Sequence, residues 1–456
     1  MPTAHSNTLS VYALGSNSSC QLGVGHAEDV SSVPQRCIFA VEAEIDDETE
    51  AEAGVGLEVS DDQEARRGGG GGESPSQATQ RRGQDLDPSE IGDIRKIVAG
   101  GNHTVVLTDR GRVFIAGRGA GGLRGVGGEA DDDIFREVTK GILEFCAREG
   151  DGDGECDGEC DGEAITDVAA SWDVSFAVVG GRVVVCWGNF GGSCSVSATA
   201  SCITPAATTS STTSATGAQQ MWTAFVTNYT DVKDKVTITA IEAGMAHVVV
   251  LLSNGQVYGW GASRKGQLGE QYQREKILRD ARRLDVGSDG RRLLPFAPER
   301  VILGREYTVF LRRGEKLVIW GSMSGNRDAE WLFGQDDMAV SGWSSVHVLS
   351  PSGGSSSAVV KSMGKNNHGQ FAPANLPAVC TMAAGSEHCV ALTVEGQVIA
   401  WGWGEHGNCG EQVDGKGNVV DRWNVIPLPQ LDQGTVVRDV AAGCATTFVI
   451  CGADER

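Results

Sequence analysis

Apolar residues along this chain fall in short runs separated by glycine, not in helical stripes. In "AIEAGMAHVVVLLSNGQVYGWGASRKGQLGE", Ala240 to Glu270, one apolar run leads into Ala243-Gly244, a second ends at Asn254-Gly255, and a third ends at Trp260-Gly261. β-Branched and aromatic residues on both sides of Asn-Gly predict a hairpin with a two-residue turn of positive φ. Each such unit is a small antiparallel sheet.

The unit recurs. It reads "IVAGGNHTVVLTDRGRVFIAGRGAGGLRG" from Ile97, "DVAASWDVSFAVVGGRVVVCWGNFGG" from Asp167, "RVILGREYTVFLRRGEKLVIWGSMSG" from Arg300 and "TMAAGSEHCVALTVEGQVIAWGWGEHGNCGE" from Thr381, with a degenerate copy from Ala339. From the small pair to the glycine after tryptophan is 17 residues in four copies (Gly100 to Gly117, Gly244 to Gly261, Gly304 to Gly321, Gly385 to Gly402), 18 from Ala170 to Gly188 and 22 from Gly342 to Gly364. A single small sheet cannot bury both its faces, so the units must stack around an axis. Trp-Gly supplies a large wedge beside a residue that lets backbones approach.

The termini supply the last unit. "VVRDVAAGCATTFVIC", residues 436–451, is the first half of a unit, and "LSVYALGSNSSCQLGVGHAEDVSSVPQRC" near the N-terminus is the second half. Pairing them closes a ring and removes its edges. The expectation is an all-β, seven-bladed propeller of four-stranded blades over residues 9–452. Four stretches, about 41–90, 119–163, 193–236 and 271–297, lack a strand period and read as surface insertions.

Composition agrees with strands and turns. Glycine is 63 of 456 residues, roughly twice its usual share, which disfavours long helices. The net charge is −22, but eleven acids and no base lie in residues 41–64, and eight more acids lie in 149–163. The remaining body is nearly neutral, without the basic footprint that nucleic acid demands. No cationic leader precedes an apolar run and no stretch of eighteen apolar residues occurs, so a soluble intracellular protein with reduced, mostly buried cysteines is expected.

Candidate chemistry is sparse. "DGDGECDGECDGE" imitates a calcium loop, which needs a closing bidentate Glu between helices, but no helices flank it; Cys156 and Cys160 lack a second pair of ligands for zinc. No nucleophile elbow, phosphate-cradling loop or "HExxH" appears, and glycine-rich "GRGAGGLRG" precedes no helix. The expectation is no enzyme, no catalytic residue, no metal and no cofactor.

The pattern A-G-x-x-H, L, G-x-V-x-x-W-G, G-Q-L-G, cleanest from Ala243 to Gly269, resembles the regulator of chromosome condensation repeat. Within that family "VYALGSNSSCQLGVGHAEDV", "IRKIVAGGNHTVVLT", "GWGEHGNCG" and "GCATTFVI" are similar to the fungal alpha-tubulin suppressor (killer-toxin-insensitivity) group. That resemblance implies a non-enzymatic scaffold in heterodimer with a small CSL-type zinc electron carrier. It would support diphthamide synthesis on elongation factor 2 and, indirectly through Elongator, tRNA wobble-uridine modification, in cytoplasm and nucleus, without direct nucleic-acid or membrane binding. The alternative is guanine-nucleotide exchange on a small GTPase, which the wider family can perform. A ubiquitin-ligase or kinase adaptor would need an attached catalytic domain.

In a propeller the loops after each small pair converge at one end of the channel. The candidate partner-binding residues there are Asn102, Trp172, Asp173, His247, Glu306, Tyr307, Trp343, Glu387 and His388. His103, His247 and His388 occupy the consensus position, where hydrogen bonding to backbone within the blade is the stronger claim on them, whereas off-consensus Trp172, Asp173 and Trp343 read equally as partner contacts. Trp403-Gly404 is a second wedge that the repeat does not require, and Trp403 with the adjacent Glu405 and His406 completes the candidate partner-binding set.

Overall fold

The computed structural model describes residues 9–41, 86, 88–119, 131–149, 164–188, 221–227, 236–324, 331–351 and 359–454. The acidic run 42–64 and the Cys156–Cys160 segment lie outside them.

Seven sheets form the ring, each with its first strand lining the axis. In chain order these inner strands are Ile94–Ala99, Ile165–Ala170, Ile238–Ala243, Arg300–Leu303, Met338–Ser341, Val379–Ala384 and Thr435–Ala442, which define blades one to seven. Each packs beside the next, and the seventh beside the first. Blade seven is completed by Thr446–Ala453, Ser10–Gly15 and Val30–Arg36, with Val11 opposite Ile450 and Ala13 opposite Phe448. The expected closure by both termini is therefore present.

The apolar pattern explains which strands go where. Second strands such as His103–Thr108, Val174–Val179, His247–Leu252 and His388–Thr393 are buried at every position. They are covered on both faces by neighbouring blades, so they read as unbroken apolar runs. Inner strands keep one face on the channel and are only partly buried. Trp187, Trp260 and Trp401 are fully buried wedges between blades. The glycine after each wedge, and its counterparts in the other blades, has φ between +95° and +133°. A Cβ on Gly402 would sit 2.7 Å from the carbonyl oxygen of Glu387, so both conformation and space require glycine.

Four details differ from the sequence expectation. The insertions hide outer strands: Asp132–Glu137, Met221–Val226 and Ile277–Arg283 each complete a blade, and Thr139–Glu149 is a helix. Asp132–Glu137 and Ile277–Arg283 see solvent on one side and carry charge, so no apolar alternation marks them, while Met221–Val226 is uncharged but set beside a Ser/Thr-rich stretch. Blades four and five have three strands in their sheets, and blade one has five because Phe39–Ala40 pairs in parallel with it. Ser171, not Ala170, holds the small-pair position of blade two, since its N–H bonds the Val174 carbonyl as Gly100 bonds His103 and Gly244 bonds His247; the spacing to Gly188 is then also 17. At the Asn254 hairpin only Gly255 has positive φ, and Leu252 and Gln256 close a longer turn. That is a turn ending in a left-handed glycine, not the two-residue form.

Candidate functional site

The inner strands enclose an axial channel of about 560 Å³. Because second and third strands are antiparallel, the loops after each small pair and the loops after each Trp-Gly lie at the same end. That end is the loop face.

At its centre the loop tips are tied to one another by backbone. Gly101 N–H donates to Trp172 O (3.0 Å), Trp172 N–H to Met245 O (3.1 Å), Arg305 N–H to Trp343 O (3.0 Å), Trp343 N–H to Ser386 O (2.7 Å) and Ser386 N–H to Gly443 O (3.0 Å). This collar needs close approach, which the small-pair glycines permit. A Cβ on Gly385 would lie 2.3 Å from Gly443 O, and one on Gly244 2.4 Å from Gly304 O.

Trp172 and Trp343 come from blades two and five, yet their rings meet with centroids 5.6 Å apart at 49°. Both line the channel, so the pair spans its end. Both are half-buried, and each backbone is held on both sides by the collar. The indoles are thus fixed before any partner arrives, which lowers the entropy cost of using them as anchors.

Around this hub stand half-buried Asn102, Asp173, Glu306 and Glu387. Burial raises the Asp173 carboxyl, with Arg118 opposing the shift. The Glu387 carboxylate accepts from Gln370 Nε2 at 2.7 Å and from the Ser344 hydroxyl. Farther out, His406 Nδ1 meets Asp29 Oδ2 at 3.0 Å. The Trp403 indole stands edge-on to His406 (5.4 Å, 89°) and donates to exposed Glu405 at 3.2 Å. Asn102, Trp172, Asp173, Glu306, Trp343, Glu387, Trp403, Glu405 and His406 therefore share one face.

His247, His388 and Tyr307 do not join them, which corrects their place in the candidate set. All three are buried. His247 Nε2 pairs with Thr308 Oγ1 and His388 Nε2 with Thr447 Oγ1, both at 3.0 Å and both in the next blade. The bonds are to side chains across blades, not to backbone within one. Tyr307 reaches the carbonyls of Gly342 and Ser345 in blade five, each at 2.8 Å. His103 is fully buried as well, with no partner for either ring nitrogen among the described residues.

The structure adds residues not foreseen. Met245 and exposed Arg305 join the collar. Inside the channel Lys96 Nζ contacts Asp167 at 2.9 Å and Glu242 at 3.0 Å, joining blades one, two and three. Burial pulls the ammonium pKa down, but the attraction and hydrogen bonds of Glu242 and Asp167 together raise it. Lys96, Asp167, Arg300, Thr381 and Asp439 each lie four residues before their blade's collar glycine or serine; that shared register was the available signal. Among the described residues no group of three or more His, Cys, Asp or Glu could hold a metal, and no helix is long and apolar enough to cross a membrane.

Residues 94–122, 238–267 and 379–408 match the sequence model of the Regulator of chromosome condensation (RCC1) repeat. An RCC1 repeat-containing protein of Schizosaccharomyces pombe is 28% identical over 226 residues, 48% of this chain and 58% of that protein. The Secretion-regulating guanine nucleotide exchange factor of Bos taurus is 24% identical over 432 residues, 91% of this chain and 63% of that protein. The chain spans under two thirds of either relative's length. Among solved structures, Prp20p of Saccharomyces cerevisiae superposes with a TM-score of 0.63 at 16% identity, covering 98% of this chain and 92% of that one. Its structural description reports binding to Gsp1p and histones.

Proposed function

We propose that this propeller of RCC1 repeats seats a small GTPase on its loop face and accelerates release of the bound guanine nucleotide. The observation that carries the reading is the similarity over 91% of the chain to a relative named a guanine nucleotide exchange factor. The face supports it. Exchange breaks no covalent bond: a surface that binds the nucleotide-free GTPase more tightly than the loaded form shifts the equilibrium by that difference alone. Such a surface must be rigid, and the collar around Trp172 and Trp343 is held by backbone bonds between blades. Its centre offers two half-buried indoles, a methionine and an arginine, residue types that dominate protein interfaces.

Stopped-flow release of fluorescent GDP from a panel of small GTPases tests the reading. At least one member is expected to release nucleotide faster in the presence of the protein, and Trp172→Ala is expected to abolish the gain. Unchanged release across the panel overturns it.

A further inference from the structure

The outer side of blade three runs against the charge of the rest of the chain. Residues 264–292 hold nine Lys or Arg and five acids, in a chain of net charge −22. Two of those acids are engaged locally, Asp285 by Arg283 at 3.0 Å and Asp289 by Arg291 at 3.5 Å. Arg264, Lys265, Arg274, Lys276, Arg282 and Arg292 are all exposed, and none makes an ion pair among the described residues. Topology arranges them as a stripe. Arg264 to Lys276 follow the Trp260-Gly261 wedge at the loop face, Arg282 lies in the outer strand Ile277–Arg283, and Arg292 lies in the turn beyond it toward the opposite end.

This strand is also the edge of its sheet, since among the described residues its one ladder is with Val257–Ala262, and only its last carbonyl, that of Arg283, is taken by the Tyr272 hydroxyl. Edge strands leave alternate N–H and C=O groups for another strand to use. We infer that this edge of blade three docks an extended acidic segment of a partner protein, which adds alongside Ile277–Arg283 and sets carboxylates against the unpaired cations. The charge complementarity chooses the occupant. An acidic peptide about seven residues long, at roughly 3.4 Å per residue, matches the outer strand. Nucleic acid fits less well: it would need a stacking platform, and the aromatic here, Tyr272, is half-buried with its hydroxyl bonded to Arg283 O at 2.9 Å. The surface lies outside the loop-face hub, so it stands independently of nucleotide exchange.

Fluorescence anisotropy with the full-length chain tests the inference, using a labelled decapeptide of alternating Glu and Val, its Gln–Val counterpart, and ten-residue DNA and RNA oligonucleotides as probes. The Glu–Val peptide is expected to bind, to weaken steeply from 50 to 300 mM salt, and to lose at least tenfold in affinity in R274E/R282E/R292E. Those residues are exposed, so an unchanged melting temperature shows that the variant is folded. Equal binding of the Gln–Val peptide, tighter binding of either oligonucleotide, or an unaffected triple variant overturns it. Affinity that appears only after excision of residues 42–64 also overturns it, because the chain's own acidic run is then the occupant.

Discussion

His388 and Thr447 belong to different blades and share a hydrogen bond of 3.0 Å. Thr447 Oγ1 in turn donates to Asn408 O at 2.8 Å, so its single proton is committed and His388 must donate from Nε2. His247, Thr308 and Gln267 O repeat the arrangement three blades away. At His247 and His388 the consensus histidine is therefore a neutral clamp between blades.

Acid should loosen these clamps. Burial lowers the two clamps, His247 and His388, to about 4 from an ordinary 6.5, as it does His103, which has no ring partner among the described residues, and His347, which bonds within blade five. Between those values the unfolded chain binds protons that the folded chain refuses, so stability falls as pH drops from about 6.5 toward 4. Each imidazole withdraws on the order of a few kcal/mol across that interval. Melting temperatures measured from pH 7.5 to 4.5 should fall steeply below 6.5. His388→Gln should melt lower at pH 7.5 and show a shallower decline; a parallel decline would mean that His388 does not titrate in this window.

The collar glycines should be far less tolerant than hairpin glycines. A Cβ on Gly385 meets Gly443 O at 2.3 Å, whereas one on Gly396 meets nothing within 4 Å and bears only its φ of +82°. Gly396→Ala should cost about 1 kcal/mol, the penalty of left-handed backbone. Gly385→Ala must move a neighbouring blade and should cost about 2–3 kcal/mol, as overpacking does. Urea denaturation of both variants checks the ranking, and the reverse order would refute the role assigned to the collar.

How much of this was legible follows from burial. Second strands such as "HVVVLL" are covered on both faces, so their residues have to be apolar and the repeat stands out. Ser10–Gly15 and Thr446–Ala453 could be paired because each is half of that unit. Outer strands such as "ILRDARR" are solvated and bulged, so the same chain looked like an insertion. The tryptophan pair is half legible: the repeat places Trp172 and Trp343 among the loop candidates, but their meeting across the axis depends on ring geometry that no local pattern encodes. Histidine at the consensus position was ambiguous because one residue type serves both a buried clamp and an exposed contact. Its threonine partner lies in the next copy.

Ring closure has a second fastener, and removing it should cost stability without altering the loop face. Phe39 leaves blade seven and stacks on Phe135 of blade one (4.9 Å, 14°) while standing edge-on to Phe114 (5.3 Å, 88°). It is buried, and Phe135 N–H bonds the carbonyl of Ile38. Phe39→Ala should cost about 3–5 kcal/mol and lower the melting temperature by several degrees. Partner binding measured well below the melting point should stay within twofold; a larger loss would tie this clasp to the face.

The indole pair gives the sharpest separation of function from stability. Trp172 and Trp343 are half-buried and held through their backbones, so alanine should leave the collar intact and move the melting temperature by only a few degrees. If the face seats a partner at its centre, either substitution should cost about 2 kcal/mol or more of binding, at least tenfold in affinity. The same pair of variants distinguishes the two partner classes. An exchange factor should show accelerated GDP release that both variants abolish. A carrier-binding scaffold, as the resemblance to the alpha-tubulin suppressor group implies, should instead recover a small CSL zinc protein on co-purification, lose it in both variants, and leave GDP release unchanged throughout. Trp403→Ala and His406→Ala map the outer edge of the footprint: weakening by both places the partner over blades five to seven, whereas wild-type affinity confines it to the hub. Full activity in the Trp172→Ala/Trp343→Ala double variant would remove the loop-face centre from either mechanism.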